Sequence, residues 1–279
     1  EMPKSPRLTV GAILVGKNTA AESFLKQKAK VAEILNIDFK IFNFKPTIRE
    51  NELKQDISKL NENKNISGII VQLPLPKHIN TEKILTDINP QKDIDALSSA
   101  QILRDKIKAD KKNPTVLAPT VEAVKFIFQK YKINYKDKNI LIVGRGRLVG
   151  QPIFNWLTAQ ESSRNIMRLK INTRVKIVNI KQKNQLPKLA READIIISGA
   201  GKAGLIKGRM VKKEAILIDF GFSRQNGPPN GEARKISGDF DFATCAKKAK
   251  LITPVPGGIG PIMVAMLFSN LIKLNKNPT

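Results

Sequence analysis

The chain has 279 residues, 41% of them hydrophobic, and a formal charge of +25. With one cysteine, Cys245, and one histidine, His78, it excludes an internal disulfide, a cysteine-rich metal site, a three-histidine zinc site and a Ser-His-Asp triad elsewhere on the chain; no metal is expected. The charge suits polyanionic ligands, but lysine is scattered along the whole chain, no nucleic-acid module motif appears, and 5% aromatics argues against a base-stacking platform, so a nucleic-acid partner is not expected.

Leu8 to Val15 is an apolar, β-branched run that predicts a buried parallel strand, ended by Gly16. Thr19 to Leu35 predicts a helix, with Ala20, Phe24, Val31 and Leu35 near helical spacing. Asp38 to Phe44 alternates as a strand does. Glu50 to Leu60 is helical, with Leu53, Ile57 and Leu60 on one face, and Ile66 to Leu73 is a further buried strand that runs into Pro74-Leu75-Pro76. This β-α-β-α-β order predicts a parallel sheet with right-handed crossovers. A short helix at Thr81 to Leu85, a polar segment at Asn89 to Asp95 and a charged loop at Ile107 to Pro114 lead to a connecting helix at Thr120 to Tyr131.

A second α/β series follows. Ile140 to Val143 reads as a strand, then glycines at 144, 146 and 150, then a helix from Leu148 to Thr158. Strand, glycine turn and helix start form the geometry that takes a pyrophosphate, although G-x-G-x-x-x-G is one residue longer than the usual fingerprint. Strands are predicted at Val175 to Ile180, Asp194 to Ser198 and Ala215 to Phe220, and a helix near Leu186 to Arg191. Gln225 to Glu232 reads as a surface loop and Gly260 to Leu274 as an apolar helix. Three prolines and three glycines in Ile252 to Pro261 predict an irregular path that shapes a ligand site or joins domains. No window is long and apolar enough to span a membrane and the first residues show no signal-peptide pattern, so a cytoplasmic protein is expected.

V-Q-L-P-L-P at Val71 to Pro76, D-I-D at Asp93 to Asp95, V-G-R-G-R-L-V-G-Q-P at Val143 to Pro152 and I-T-P-V-P-G-G-I-G-P at Ile252 to Pro261 stand in the order and at the spacings of one family. Asp219 to Gly221, Pro229 to Gly231 and Gly238 to Phe240 also fit. From Leu8 to Leu274 the chain resembles the bifunctional methylenetetrahydrofolate dehydrogenase/methenyltetrahydrofolate cyclohydrolases. That resemblance implies two α/β domains with a cleft between them, the C-terminal one Rossmann-like. The folate-binding catalytic domain would span 1–118, completed by a C-terminal helix at 262–279, and the NAD(P)-binding domain 119–261. The implied activity is NADP-dependent oxidation of 5,10-methylenetetrahydrofolate, followed by hydrolysis of the methenyl product to 10-formyltetrahydrofolate. A homodimer is implied as well.

Carried over by position, the resemblance makes Lys28 the group that activates water and moves protons, Gln72 its hydrogen-bonded orienting partner, and Asp95 the acceptor of the pterin N–H groups. It puts Phe24, Leu73, Pro74, Pro256 and Gly257 on the substrate. Gly144, Arg145, Gly146, Gly150 and Phe222 fall on the cofactor, with Arg145 able to pair with a 2′-phosphate, which favours NADP over NAD. The chain also departs from the family. Phe24 replaces a tyrosine, Ala21 and Gly146 replace serines, Ala96 replaces a glycine, Met263 replaces a threonine, and Asn179-Ile180 replaces His-Ser. The Ala118-Pro119-Thr120 segment exchanges threonine and proline, and the stretch from Trp156 to Val175 is longer and carries Arg164, Arg168, Lys170 and Arg174. These changes fall mostly on the cofactor side, so a weakened dehydrogenase step is expected; the alternative is a folate- or nucleotide-binding homologue without catalysis.

Overall fold

The computed structural model of the protein describes residues 7–98, 116–165, 174–179, 184–224 and 236–276, except the side chains of 160–165. The expected loops at Ile107 to Pro114 and Gln225 to Glu232 lie outside the described residues, as do Pro229 to Gly231, Ile180, Arg168, Lys170 and the side chain of Arg164. The chain divides into two compact units, Glu1–Pro119 with Val264–Thr279, and Thr120–Met263.

In the first unit, β1 (Thr9–Val15), α1 (Thr19–Ile34), β2 (Asp38–Phe44), α2 (Glu50–Glu62), β3 (Gly68–Val71) and α3 (Thr81–Thr86) follow one another. The strands form a parallel sheet in the order β2-β1-β3, with Val10 opposite both Phe39 and Gly68. Successive strand side chains point to opposite faces, and β1 sorts its residues accordingly. Ile13 and Val15 join Leu53, Ile57 and Ile84 on the face covered by α2 and α3. Val10, Ala12 and Leu14 join Leu25, Ala32, Phe268 and Leu271 on the other face, under α1 and the terminal helix. A strand buried on both faces reads as an unbroken apolar run, which is why β1 shows no alternation in sequence.

Local signals set the helix ends. Asn18 caps α1, its Oδ1 accepting from the N–H groups of Ala20 and Ala21 at 3.0 Å each. Glu52 reaches back to the Arg49 N–H at 3.2 Å to start α2. At the far end of α2, Lys92 donates to the carbonyls of Leu60, Asn61 and Asn63, and burial holds this ammonium below the usual lysine range.

In the second unit, α4 (Pro119–Lys130), β4 (Asn139–Val143), α5 (Gly150–Asn165), β5 (Arg174–Val178), α6 (Leu186–Glu192), β6 (Ile195–Ser198) and β7 (Ile216–Asp219) lead to the two-stranded pair β8 (Ser223–Arg224) and β9 (Ile236–Ser237). Then come α7 (Phe242–Ala246), β10 (Leu251–Ile252) and α8 (Ile259–Leu274), the helix whose later turns complete the first unit. The five-stranded sheet is parallel throughout, in the order β10-β7-β6-β4-β5. Leu141, Val143, Ile196 and Leu217 anchor its core against Leu186, Ala190 and Cys245. Phe128, Tyr135 and Trp156 form an aromatic cluster, the rings of Phe128 and Tyr135 stacked at 5.1 Å.

Most ends shift by a residue or two and α5 runs on to Asn165; three differences have a local cause. The strand at Ile66 to Leu73 is confined to Gly68–Val71, because the Ile66 N–H closes a turn onto Asn63 O. Helix α5 begins at Gly150 rather than Leu148, after a turn through Arg147 to Val149. The Pro/Gly-rich stretch opens on a strand, since Leu251 and Ile252 pair with Ile216 and Leu217 before the prolines begin. Among the described residues no helix is long and apolar enough to cross a membrane, and no group of three or more His, Cys, Asp or Glu could hold a metal ion.

Candidate active site

In parallel sheets of this kind, ligands sit at the carboxyl ends of the strands, where crossovers diverge to either side. In the first unit that place is the end of β3 beside β1. Gln72 follows β3 directly, and its N–H continues the ladder onto Ile13 O at 2.9 Å. Its side chain is buried. Nε2 donates to Leu73 O at 3.0 Å, which turns Oε1 toward the Lys28 ammonium, at 3.2 Å. Lys28 lies one turn beyond Phe24 on α1, and both are half-buried. A lysine placed so is held by one acceptor and keeps two further N–H donors for a ligand.

Asp95 completes the group. Burial pushes its carboxyl above the ordinary carboxylate range, and the Lys28 ammonium pulls it back down. The segment carrying it is built around Asp93, which is buried and accepts from the Ser98 N–H at 2.9 Å and from the Ser98 hydroxyl. Burial raises the Asp93 carboxyl as well, with the Asp95 charge adding to the effect. Ala96, where the family resemblance expects glycine, keeps a left-handed backbone at φ 51°. Leu73 is half-buried and Pro74 exposed, with a cis bond between them.

In the second unit the corresponding place lies between β4 and β6. Gly144 ends β4 with φ +97°, and a Cβ there would stand 2.7 Å from Gly199 O, at the end of β6. A Cβ on Gly150 would stand 1.8 Å from Gly144 O, so the first residue of α5 must be glycine for the turn to close. Nothing lies within 4 Å of a Cβ at Gly146, so the mouth of the turn has room, and the exposed Arg145 stands beside it, its Nε donating to Gln151 Oε1 at 3.3 Å. A tight turn, a helix start and a guanidinium fit the phosphates of a dinucleotide. Phe222 is half-buried just after β7. Pro256 and Gly257 are exposed between β10 and α8, joined to Val255 by a cis bond, with Gly257 at φ +94°.

Asn270 carries no motif signal in the sequence, and Asp219 and Asp239 stand there only as members of short motifs with no role attached. Asn270, fully buried on α8, donates from Nδ2 to Ile94 O at 3.0 Å and to Leu117 O at 2.8 Å, which fixes the backbone next to Asp95. A lone amide between Leu267 and Leu271 in so apolar a helix was the available clue. Asp219 and Asp239 are buried at the ends of β7 and β9; burial pushes the Asp219 carboxyl up to about 6, against the backbone N–H bonds from Phe240, Asp239 and Gly221.

A parallel sheet in which the first strand lies between the second and third, with a tight glycine turn at the divergence, defines the second unit as a nucleotide-binding α/β unit of the doubly wound class. Residues 118–279 match the family model for the tetrahydrofolate dehydrogenase/cyclohydrolase NAD(P)-binding domain, and residues 2–95 match that for the catalytic domain. The chain belongs to the tetrahydrofolate dehydrogenase/cyclohydrolase family. It is 37% identical to the bifunctional protein FolD of Nautilia profundicola, over 98% of this chain and 88% of that protein. The bifunctional enzyme FolD of Campylobacter jejuni superposes with a TM-score of 0.82 at 34% identity, covering 95% of this chain and 87% of that one. The Trypanosoma brucei methylenetetrahydrofolate dehydrogenase-cyclohydrolase, solved with NADP cofactor and inhibitor, superposes with a TM-score of 0.85 at 27% identity, covering 98% and 88%.

Proposed function

We propose that this protein oxidises 5,10-methylenetetrahydrofolate to the methenyl form with NADP and hydrolyses that product to 10-formyltetrahydrofolate. The observation that carries this is the Lys28–Gln72 hydrogen bond at the carboxyl end of β3, with Asp95 close enough for its charge to feel the ammonium. In hydrolysis, water adds to the methenyl carbon and gives up both protons, one to the ring nitrogen whose C–N bond breaks and one to solvent, which leaves the formyl C=O. Lys28 serves the proton movements, and Gln72 holds it in place. Asp95 accepts pterin N–H groups, since a carboxylate takes two donors side by side. Phe24 offers a ring face to the aminobenzoyl group but has no hydroxyl to donate. The family resemblance assigns Leu73 and Pro74 of the first unit, and Pro256 and Gly257 of the second, to the folate.

NADP, when bound, supplies the hydride acceptor. Gly144, Gly146 and Gly150 would let the backbone approach its pyrophosphate, Arg145 would pair with the 2′-phosphate, and Phe222 would border the dinucleotide. NAD lacks the 2′-phosphate and so forgoes that pairing. With a glycine at 146 and a phenyl ring at 24, the dehydrogenase step is the weaker of the two. The domain roles follow: residues 1–118 with the terminal helix hold folate, and 119–261 hold the nucleotide. The protein acts as a homodimer, which the family resemblance supports and sedimentation tests, and in the cytoplasm, which its single cysteine favours and fractionation tests.

Two assays on one preparation test the activity: absorbance change with methylenetetrahydrofolate and NADP or NAD, and hydrolysis of methenyltetrahydrofolate without nucleotide. Both reactions should exceed those of Lys28→Ala. If neither does, the enzyme reading fails.

A further inference from the structure

Behind the glycine turn of the second unit lies a buried acidic node. Asp239 has no exposed surface. Its Oδ2 accepts from the Ser198 hydroxyl at 2.7 Å and from the Ala200 N–H at 2.6 Å, and its Oδ1 accepts from the Lys202 N–H at 2.7 Å. One carboxylate therefore fixes the last residue of β6 and two amides of the loop that follows it. Asp239 is fixed in turn: its own N–H and that of Phe240 donate to Asp219 at 3.0 and 3.1 Å, and the Asp219 N–H donates to Thr253 Oγ1 at 2.8 Å. The two carboxylates fit only because two neighbours lack side chains. A Cβ at Gly221 would lie 2.4 Å from the Asp239 carboxylate, and one at Gly238 would lie 2.1 Å from Asp219 Oδ2.

The held loop is also the seat of the glycine turn. Gly199 N–H donates to Val143 O at 2.9 Å. A Cβ on Gly144 would meet Gly199 O and then Ala200 Cα, and one on Gly199 would meet Val149, the residue before α5. A displacement of residues 199–202 would thus be passed to Gly144 and Val149, both within the turn.

We propose that Asp239 is a positioning residue for the nucleotide cofactor: by holding Ser198, Ala200 and Lys202 it fixes the platform on which the Gly144–Gly150 turn rests. This rests on the NADP reading above. Asp239 touches no reacting atom. Its effect belongs on cofactor affinity and not on methenyl hydrolysis, which needs no nucleotide.

Asp239→Asn tests it. Both carboxylate oxygens accept from donors, so either orientation of an amide sets its NH₂ against a backbone N–H. The KM for NADP should rise about tenfold or more, the range for losing a buried, charged hydrogen bond, with kcat at saturating NADP within about twofold. Titration calorimetry with NADP should show the same loss of affinity. Methenyltetrahydrofolate hydrolysis and the circular dichroism spectrum should be unchanged. Ser198→Ala removes one of the three donors and keeps both amides, so it decides the matter if Asp239→Asn does not fold; a loss of NADP affinity of about threefold is expected from it. Unchanged NADP affinity in a folded Asp239→Asn overturns the proposal, as does equal loss of hydrolysis and NADP binding; where only Ser198→Ala folds, unchanged affinity there does the same. A wild-type protein with no NADP affinity overturns this inference and the cofactor reading together, and that control separates the two failures.

Discussion

In the first unit the candidate site is built of side chains that meet one another, Lys28 on Gln72 and Lys28 near Asp95. In the second it is built of backbone, a glycine turn seated on a loop that the buried Asp239 carboxylate holds from behind. The difference follows from what each unit is expected to do. Proton movement needs titratable groups whose charges feel one another. Holding phosphates needs main-chain amides and space, and both are lost when a Cβ intrudes. Side-chain truncation should therefore damage the first unit's reaction, while added atoms or shifted backbone should damage the second unit's binding.

Lys28→Ala should produce the largest effect. Methenyltetrahydrofolate hydrolysis should fall by about a hundred- to ten-thousand-fold, the usual worth of a positioned acid–base group, while NADP affinity by calorimetry stays at the wild-type value. Loss of both would break the division between the units. The same variant should raise the pH at which folate binding is lost on acidification, because the ammonium that pulls the Asp95 carboxyl down is gone.

Asp219→Asn comes next and is read as stability against pH. Burial lifts the folded-state value to about 6, above the ordinary 3.8 of an aspartate, so the fold favours the protonated acid. That contribution is complete below about pH 4 and is lost as pH rises through about 6, a change of up to roughly 3 kcal/mol. Urea unfolding from pH 4 to 7 should show the wild type losing stability relative to the variant across that window; parallel curves would rule the linkage out. Gly150→Ala should raise the KM for NADP about tenfold, or 1.4 kcal/mol, and leave hydrolysis alone, since its Cβ would collide with Gly144 O. Smallest is Ala96→Gly. It should stabilise the protein by about 1 kcal/mol by relieving a left-handed alanine, and a lower unfolding midpoint would count against that strain.

Periodicity revealed the elements wherever burial repeats at a fixed interval, as in β1, with apolar side chains on both faces, and α2, with Leu53, Ile57 and Leu60. It missed β10, whose two residues are followed by Thr253 and then Pro254, and α7, whose five residues are too few for a period. Lys28 and Gln72 stand 44 residues apart, and only the resemblance joined them before the hydrogen bond was seen. The role of Asp239, which the sequence offers only as a motif residue, and Asn270 altogether were beyond reach for a related reason. Each serves through backbone groups of distant segments, and a partner such as the Ala200 N–H has no identity in sequence.

Asn270 has a consequence for synthesis. The carbonyls it binds, at Ile94 and Leu117, leave the ribosome long before it does, separated from it by 176 and 153 positions. Domains fold as units while the chain is made, N-terminal first, at about 5–20 residues per second. Here the division of the chain works against that order. The middle of the chain, Thr120–Met263, can close on itself while the part made first still waits for its last helix. From the synthesis of Pro119 until that of Leu271, several seconds at least at such rates, the face of β1 that carries Val10, Ala12 and Leu14 lacks Phe268 and Leu271. A nascent chain stalled before Val264 should therefore present that apolar face to chaperones.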